Sequence, residues 1–264
     1  MDDLTKNAKA VLLVGGLGTR LRSVLPSTPK AMARIGKRPF LELLIRQLSS
    51  QGIRRLVMCT GYLADEIAKD FGDGSGLGVS IEYSREDSPL GTAGAIKLAA
   101  PLLEGLDHFF VANGDSFMAA DFRQLLEVHR QAGVLLTLAV TRIKNQGRYG
   151  TVETLENGLV SAFREKTIQQ EMGLVNTGIY VFDRQLLSLI PEGPSSLEKD
   201  VFPVLLPRGV RAVEQSGLFI DIGIPEDYAR AQEIADSLYR AAADAPRRDQ
   251  GNTELGNGPA IRAE

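Results

Sequence analysis

Between Val14 and Lys30 the chain reads "VGGLGTRLRSVLPSTPK", glycine first and fixed positive charge after it, directly behind the apolar run Ala10–Leu13. Gly15, Gly16 and Gly18 let backbone N–H groups come close to an anion, because no Cβ stands in the way. Thr19 follows them, and Arg20 offers a planar fork to phosphate oxygens. Lys30, ten positions further on, supplies a compact charge that can follow a moving one. Clustered donors of this kind suit phosphoryl chemistry, in which charge accumulates on oxygen in the transition state. Two common phosphate loops do not match. A Walker loop ends Gly-Lys-Ser/Thr, whereas this one ends Gly-Thr-Arg, and a dinucleotide fingerprint needs glycine where Leu21 stands. A surface loop with glycine turns and solvated Arg20 and Lys30 is the plain alternative.

Two carboxylates come next. Asp115 in "NGDS" and Asp221 in "LFIDIG" each close an apolar run, and each lies beside a glycine. A carboxylate at a strand's carboxyl end suits Mg²⁺, which takes a few carboxylates together with phosphates and water. Taken singly, either Asp also reads as a turn or a helix N-cap. The small residues of "PLGTAGAI", Gly91 and Gly94 among them, let a flat ring or a phosphate approach a helix start, or equally let that helix pack tightly. In "RYGTV", "FREK" and "NTGIY", Glu165 can accept hydrogen bonds from hydroxyls and Lys166 can pair with a phosphate. Gly150 and Asn176 can hydrogen-bond a polar ligand. An exposed strand pair is the plain reading of Glu165-Lys166. His108 and His129 read as structural or surface residues, and the "SREDSP" and "GDGSGLG" loops as solvated turns.

These residues need a scaffold that brings strand ends together. Runs rich in Val, Leu, Ile and Phe predict strands over 10–14, 55–60, 79–83, 109–113 and 134–141. Amphipathic segments predict helices over 39–51, 63–71, 92–103 and 121–131, the last with Asp121 as N-cap. Strands alternating with helices imply an α/β fold: a mostly parallel sheet covered on both faces, with ligands at the strands' carboxyl ends. From about residue 149 short β segments predict an antiparallel lobe added to that sheet, followed by a short helix over 195–205. A strand over 218–221 and a last helix over 225–242 complete the expectation.

The 264 residues suit one large domain or two small ones. A net charge of -3 gives no electrostatic reason to expect nucleic acid or an anionic membrane as partner. The single Cys59 excludes an internal disulfide and, from its apolar run, belongs in a core. The charged N-terminus precedes a run too short for a signal sequence, so the chain reads as cytoplasmic.

"GGLGTRL" followed by "PK" at Pro29-Lys30 resembles the nucleotide-binding signature of the sugar-1-phosphate nucleotidyltransferases, and the likeness runs from about residue 8 to 240. It implies a Rossmann-like sheet of the nucleotide-diphospho-sugar transferase type with a small antiparallel lobe for the sugar. It also implies a domain over 8–242, divided into a nucleotide-binding half (8–141) and a sugar-binding half (142–242); beyond it, the polar stretch 243–264, with little to bury, reads as a disordered tail. By resemblance Gly15, Gly16, Gly18, Thr19, Arg20, Gly91 and Gly94 hold the nucleotide. Arg20, Lys30, Asp115 and Asp221 carry catalysis, with Mg²⁺ on the two aspartates. Gly150, Glu165, Lys166 and Asn176 hold the sugar phosphate. Many relatives have proline after that lysine, where this chain has Thr167.

"RYGTV", "GLVNTGIY", "SSLEKDVFP" and "FIDIGIPEDY" look most like the D-glycero-α-D-manno-heptose 1-phosphate guanylyltransferase branch, with mannose-1-phosphate guanylyltransferases as near neighbours. Glucose-1-phosphate thymidylyl- and uridylyltransferases are more distant. The implied partners are small molecules, an NTP (GTP in that branch) and a sugar 1-phosphate, while homo-oligomerisation stays open. A catalytically silent sugar-nucleotide-binding subunit is the alternative of a different class.

Overall fold

A computed structural model describes residues 5, 7–16, 18–21, 24–25, 28–144, 150–164 and 172–244 of the chain. Its strands are β1 (Lys9–Leu13), β2 (Arg34–Ile35), β3 (Arg38–Pro39), β4 (Arg55–Thr60), β5 (Ser80–Arg85), β6 (His108–Asn113), β7 (Ser116–Met118), β8 (Leu136–Lys144), β9 (Thr151–Thr154), β10 (Val160–Arg164), β11 (Met172–Asp183), β12 (Val210–Glu214) and β13 (Phe219–Asp221). Its helices are α1 (Phe40–Ser50), α2 (Ala64–Phe71), α3 (Gly91–Leu98), α4 (Phe122–Ala132), α5 (Phe202–Leu205), α6 (Pro225–Glu233) and α7 (Ala235–Ala243).

Side chains alternate across the central strands, and that alternation builds two cores. Ala10, Leu12, Leu56, Met58 and Phe110 pack on one face against α1, α4 and α7. Val11, Val57, Cys59 and Phe109 pack on the other against α3 and α5. Strands buried on both faces explain why the sequence shows continuous apolar runs there. Cys59 lies in the second core, and burial, reinforced by the charge of Glu86, pushes its thiol up to about 12.

The sheet is α/β, with β5, β4, β1 and β6 running parallel in that order. The antiparallel part grows from the same sheet rather than standing apart. The long strand β11 pairs antiparallel with β6 over 179–183, with β8 along most of its length, and with β9 at Val175. β10 then pairs with β9, and β12 runs parallel to β8. Helix α4 is capped as expected, the Asp121 carboxylate accepting from Gln124 N at 2.9 Å.

Four details depart from the sequence reading. The helix expected over 92–103 ends at Leu98, and a separate 3₁₀ turn over Ala100–Leu103 carries Pro101, which lacks an N–H to continue the ladder. The helix expected over 225–242 divides at Ile234 into α6 and α7. The short helix expected over 195–205 is a wide turn, Leu197–Val201, leading into α5. β2, β3, β7 and β12 were not anticipated. Of the stretch 243–264, only 243 and 244 lie among the described residues, where α7 ends at Ala243. Among the described residues no helix is long and apolar enough to cross a membrane.

His129 is 1% exposed, and its ring meets that of His108 edge-on at 4.9 Å. Its Nδ1 shares a hydrogen bond with Thr137 Oγ1 at 2.9 Å, whereas Nε2 is buried with no hydrogen-bond partner among the described residues. Burial first, and the neighbouring His108 second, push its pKa down to about 4. An unfolded histidine protonates near 6.5, so between those values the unfolded chain binds more protons. Stability is therefore full above about pH 6.5 and declines as pH falls toward 4. Denaturant titrations are expected to show about 2 kcal/mol lost between pH 7 and pH 5 through this residue, and His129→Leu to remove that share of the slope.

Candidate functional site

The strand ends position the loop. Leu13 pairs with Cys59 on one side and Asn113 on the other, so three parallel strands finish on one edge. Val14 N donates to Cys59 O at 3.0 Å and Gly114 N donates to Leu13 O at 2.9 Å, which draws the loop after β1 onto the turn after β6. A Cβ at Gly114 would stand 2.7 Å from Leu13 O, so that approach requires glycine. In the loop Gly18 has φ +58°, and a Cβ there would meet the Cβ of Lys30 at 3.2 Å. Pro29 leads into the 3₁₀ turn Lys30–Met32, anchored by buried Ala31 and Met32. Its backbone is thereby fixed while the Lys30 side chain projects into a cleft of about 200 Å³. Gly16, Gly18, Arg20, Asp115 and Gly223 also line this cleft.

Asp221 reaches the same place through a two-stranded ladder. β13 pairs antiparallel with β7, setting Asp221 opposite Ser116, and Ile222 N donates to Asp115 O at 2.9 Å. The two carboxylates then share neighbours. Lys30 Nζ lies 2.5 Å from Asp115 Oδ2 and 3.9 Å from Asp221 Oδ1. Ser116 Oγ lies 3.2 Å from Asp115 Oδ1 and 3.3 Å from Asp221 Oδ2. One hydroxyl carries one proton, so Ser116 donates to one carboxylate at a time. Gly223 N donates to Asp221 Oδ1 at 2.5 Å, and a Cβ at Gly223 would crowd both that oxygen and Lys30 Nζ.

Burial, then the negative charge of Asp115, pushes Asp221 up to about 6, against the pull of Lys30. One ammonium does not balance two half-buried carboxylates, and the surplus negative charge favours a further cation. The donors are hard oxygens. Among the described residues no group of three or more His, Cys, Asp or Glu forms a metal cage. Two carboxylates beside a cleft lined by glycines and Arg20 fit Mg²⁺, which completes its shell with water and further oxygens rather than an all-protein cage.

Other residues singled out by the sequence fall in different settings. Gly15 packs toward the Glu86 carboxylate and Gly61 N, whereas nothing lies within 4 Å of a Cβ built on Gly16. Gly91 (φ +71°) and Gly94 face the Ser195 and Gly193 carbonyl oxygens, at 2.5 and 2.6 Å from their built Cβ positions. Ser195 O accepts from Ala93 N, and Ser195 N donates to Leu90 O. That packing by itself accounts for both glycines. Asn176 sits on β11 with its amide engaged: Nδ2 donates to the Tyr180 hydroxyl at 2.8 Å, and Oδ1 accepts from Gly178 N at 3.0 Å. Gly178 (φ +80°) rests on the Asn113 amide, which ties this bulge to the strand carrying Asp115. Gly150 is exposed, beside Arg164 O at the end of β10. Glu165 and Lys166, like Arg148 and Tyr149, lie outside the described residues, and nothing is described of the Thr19 side chain.

Three residues escaped the sequence reading. Ser116 follows Asp115 directly, but only the ladder to β13 shows that it touches both carboxylates. Tyr180 is fully buried beneath Asn176. Glu86, assigned to a solvated turn, is half-buried instead; its Oε2 accepts from Leu90 N at 3.1 Å, and burial raises its pKa. A carboxyl directly behind the end of an alternating strand was the available signal.

Comparison with known proteins shows the family and the fold. Residues 9–237 match the model of the family described as nucleotidyl transferase. The chain is 39% identical over 246 residues to the mannose-1-phosphate guanylyltransferase of Mycobacterium tuberculosis, covering 92% of this chain and 67% of that one. It is 38% identical over 227 residues to the D-glycero-alpha-D-manno-heptose 1-phosphate guanylyltransferase of Aneurinibacillus thermoaerophilus, covering 85% and 97%. The crystal structure of HddC from Yersinia pseudotuberculosis complexed with GMP-PN superposes with a TM-score of 0.78 at 33% identity, covering 86% and 98%. The chain spans 60 to 67% of the length of the mannose-1-phosphate relatives.

The glycines divide into two classes that stability measurements separate. Gly91→Ala is expected to cost on the order of 2 kcal/mol or more, because the new Cβ meets Ser195 O at a left-handed backbone. Gly16→Ala, which opens into free space, is expected to stay within about 0.5 kcal/mol of the parent in urea unfolding.

Proposed function

The chain belongs to the nucleotidyl transferase family, and we propose that it joins GTP to a manno-configured sugar 1-phosphate, releasing pyrophosphate. D-glycero-α-D-manno-heptose 1-phosphate is the first candidate acceptor and mannose 1-phosphate the second. The observation that carries the reading is the convergence of Asp115, Asp221 and Lys30 on a cleft that Gly16, Gly18 and Arg20 also line. Both guanylyltransferase relatives support the donor, and their similar identities, 38% and 39%, leave the two acceptors to be separated by assay.

The acceptor phosphate is ionised at neutral pH, so one of its oxygens attacks the α-phosphorus directly. The new P–O bond forms as the bond to the β-phosphate breaks, and pyrophosphate leaves with the electron pair. No proton need be taken from the nucleophile, so the work is to align two mutually repelling anions. Arg20 holds the β- and γ-phosphates that depart, and Lys30 meets the charge developing around the α-phosphorus. Asp115 and Asp221 would hold Mg²⁺, which when bound would supply Lewis-acid polarisation of a phosphate oxygen. Ser116 and Gly223 N keep the two carboxylates aimed. Lys166, with Glu165, Gly150 and Asn176, receives the sugar phosphate, and Tyr180 fixes the Asn176 amide.

Glu86 gives this reading its base preference. Guanine presents adjacent N–H donors at N1 and N2, which a carboxylate accepts, whereas thymine and uracil flank one N–H with carbonyl oxygens that a carboxylate repels. The Glu86 carboxylate sits among the strand ends, between Gly15 and Gly61.

Three measurements test the proposal. Pyrophosphate release with Mg²⁺ across a panel of nucleotides and sugar 1-phosphates is expected to favour GTP with a manno-configured acceptor. No turnover with any pair would favour a silent binding subunit instead. Asp115→Asn and Asp221→Asn should each lower the rate on the order of a hundredfold or more, and near-normal turnover in both would refute the site. Glu86→Gln is expected to lower kcat/KM for GTP by roughly tenfold to a hundredfold relative to dTTP, and an unchanged ratio would remove Glu86 from base selection.

A further inference from the structure

Lys30 reaches both carboxylates that the proposed function assigns to Mg²⁺. Its Nζ is 2.5 Å from Asp115 Oδ2 and 3.9 Å from Asp221 Oδ1, with its side chain only 16% exposed. A divalent ion bound by Asp115 would lie about 2.0–2.1 Å from a carboxylate oxygen, so it and this ammonium would be two cations crowded on the same few oxygens. They repel at that range, and the partly buried setting screens them little.

We propose that Lys30 is a tethered stand-in for the cation: ammonium and divalent ion compete for one carboxylate pair, and the ion enters as Lys30 moves from Asp115 to the nucleotide. This rests on the reading of Asp115 and Asp221 given above, but it assigns Lys30 a role beyond charge neutralisation at the α-phosphorus.

The surroundings of Lys30 suit such an exchange. Its backbone is held by buried Ala31 and Met32 in a 3₁₀ turn, so the movement is confined to the flexible four-carbon stem. Gly18 abuts the base of that stem, with only 3.2 Å from its built Cβ to the Cβ of Lys30. Gly223 lacks the Cβ that would stand 3.2 Å from Nζ, so the head has room where the stem does not. Gly16 and Arg20 line the same cleft, and an anion seated there offers the ammonium a new partner. The consequence is a coupling. Nucleotide draws Lys30 away and exposes the carboxylates to the cation, and the cation in turn disfavours return of Lys30. Each ligand therefore tightens the other by the same factor.

The test uses the full chain and Mn²⁺ as the probe, followed by its electron paramagnetic resonance signal without turnover. In the absence of nucleotide, Lys30→Gln is expected to bind Mn²⁺ on the order of tenfold more tightly than the parent. Lys30→Arg, which keeps the charge, is expected to bind as weakly as the parent, and adding Asp221→Asn to Lys30→Gln should abolish the gain. A non-hydrolysable GTP analogue should tighten Mn²⁺ binding to the parent more than to Lys30→Gln, and the parent arm needs no variant to fold. Equal Mn²⁺ affinity of parent and Lys30→Gln without nucleotide would overturn the stand-in role, while weakening by Asp221→Asn with the analogue would leave the metal assignment intact. Mn²⁺ binding insensitive to Asp115→Asn and Asp221→Asn with the analogue present would overturn the metal assignment and this inference with it.

Discussion

Two carboxylates held close together repel, and the site is organised around the contacts that offset this. Asp115 comes from the turn after β6 and Asp221 from the end of β13, and the β7–β13 ladder forces them to one point. A lysine, a shared hydroxyl and a backbone N–H meet their facing oxygens. The raised pKa of Asp221 is the residue of repulsion and burial that these contacts do not cancel. An arrangement with surplus negative charge next to a cationic loop draws in a cation and an anion together, which is what phosphoryl transfer between two anions requires.

The fold supplies this geometry at little local cost. The sheet gives three parallel strand ends on one edge, and hydrogen bonds from Val14 and Gly114 lock two loops together there. Two cores, one on each face, fix the strands against their helices, so loop residues inherit their precision from buried side chains several residues away. The long strand β11 extends that frame: its C-terminal part pairs antiparallel with β6, and the bulge at Asn176–Gly178 rests on Asn113, two residues before Asp115. Nucleotide and sugar halves are thus proposed divisions of one continuous sheet.

Much of this was legible in the sequence because its signals are local. Apolar runs located β1, β4 and β6, and the spacing of Arg20 and Lys30 together with the position of Asp115 and Asp221 after such runs marked the strand-end edge. What escaped depends on non-local contact. Nothing in "LFIDIG" states that Asp221 faces Ser116, which is 105 positions away. Gly91 and Gly94 read equally as ligand-facing or packing glycines until the carbonyl oxygens of Gly193 and Ser195 are seen against them. Glu86 looked solvated because its neighbours in sequence are polar, whereas its neighbours in space are the backbones of Gly15 and Gly61. β7 escaped because three residues are too few to show a period.

The central claim is that one divalent ion is shared by carboxylates from two distant segments. A crystal grown with Mn²⁺ and a non-hydrolysable GTP analogue, with anomalous diffraction recorded at the manganese edge, tests it directly. The account predicts an anomalous peak in the cleft with Asp115 and Asp221 both in its first coordination shell and Lys30 turned toward phosphate. A manganese ion ligated by neither aspartate, or by phosphates alone, would contradict it.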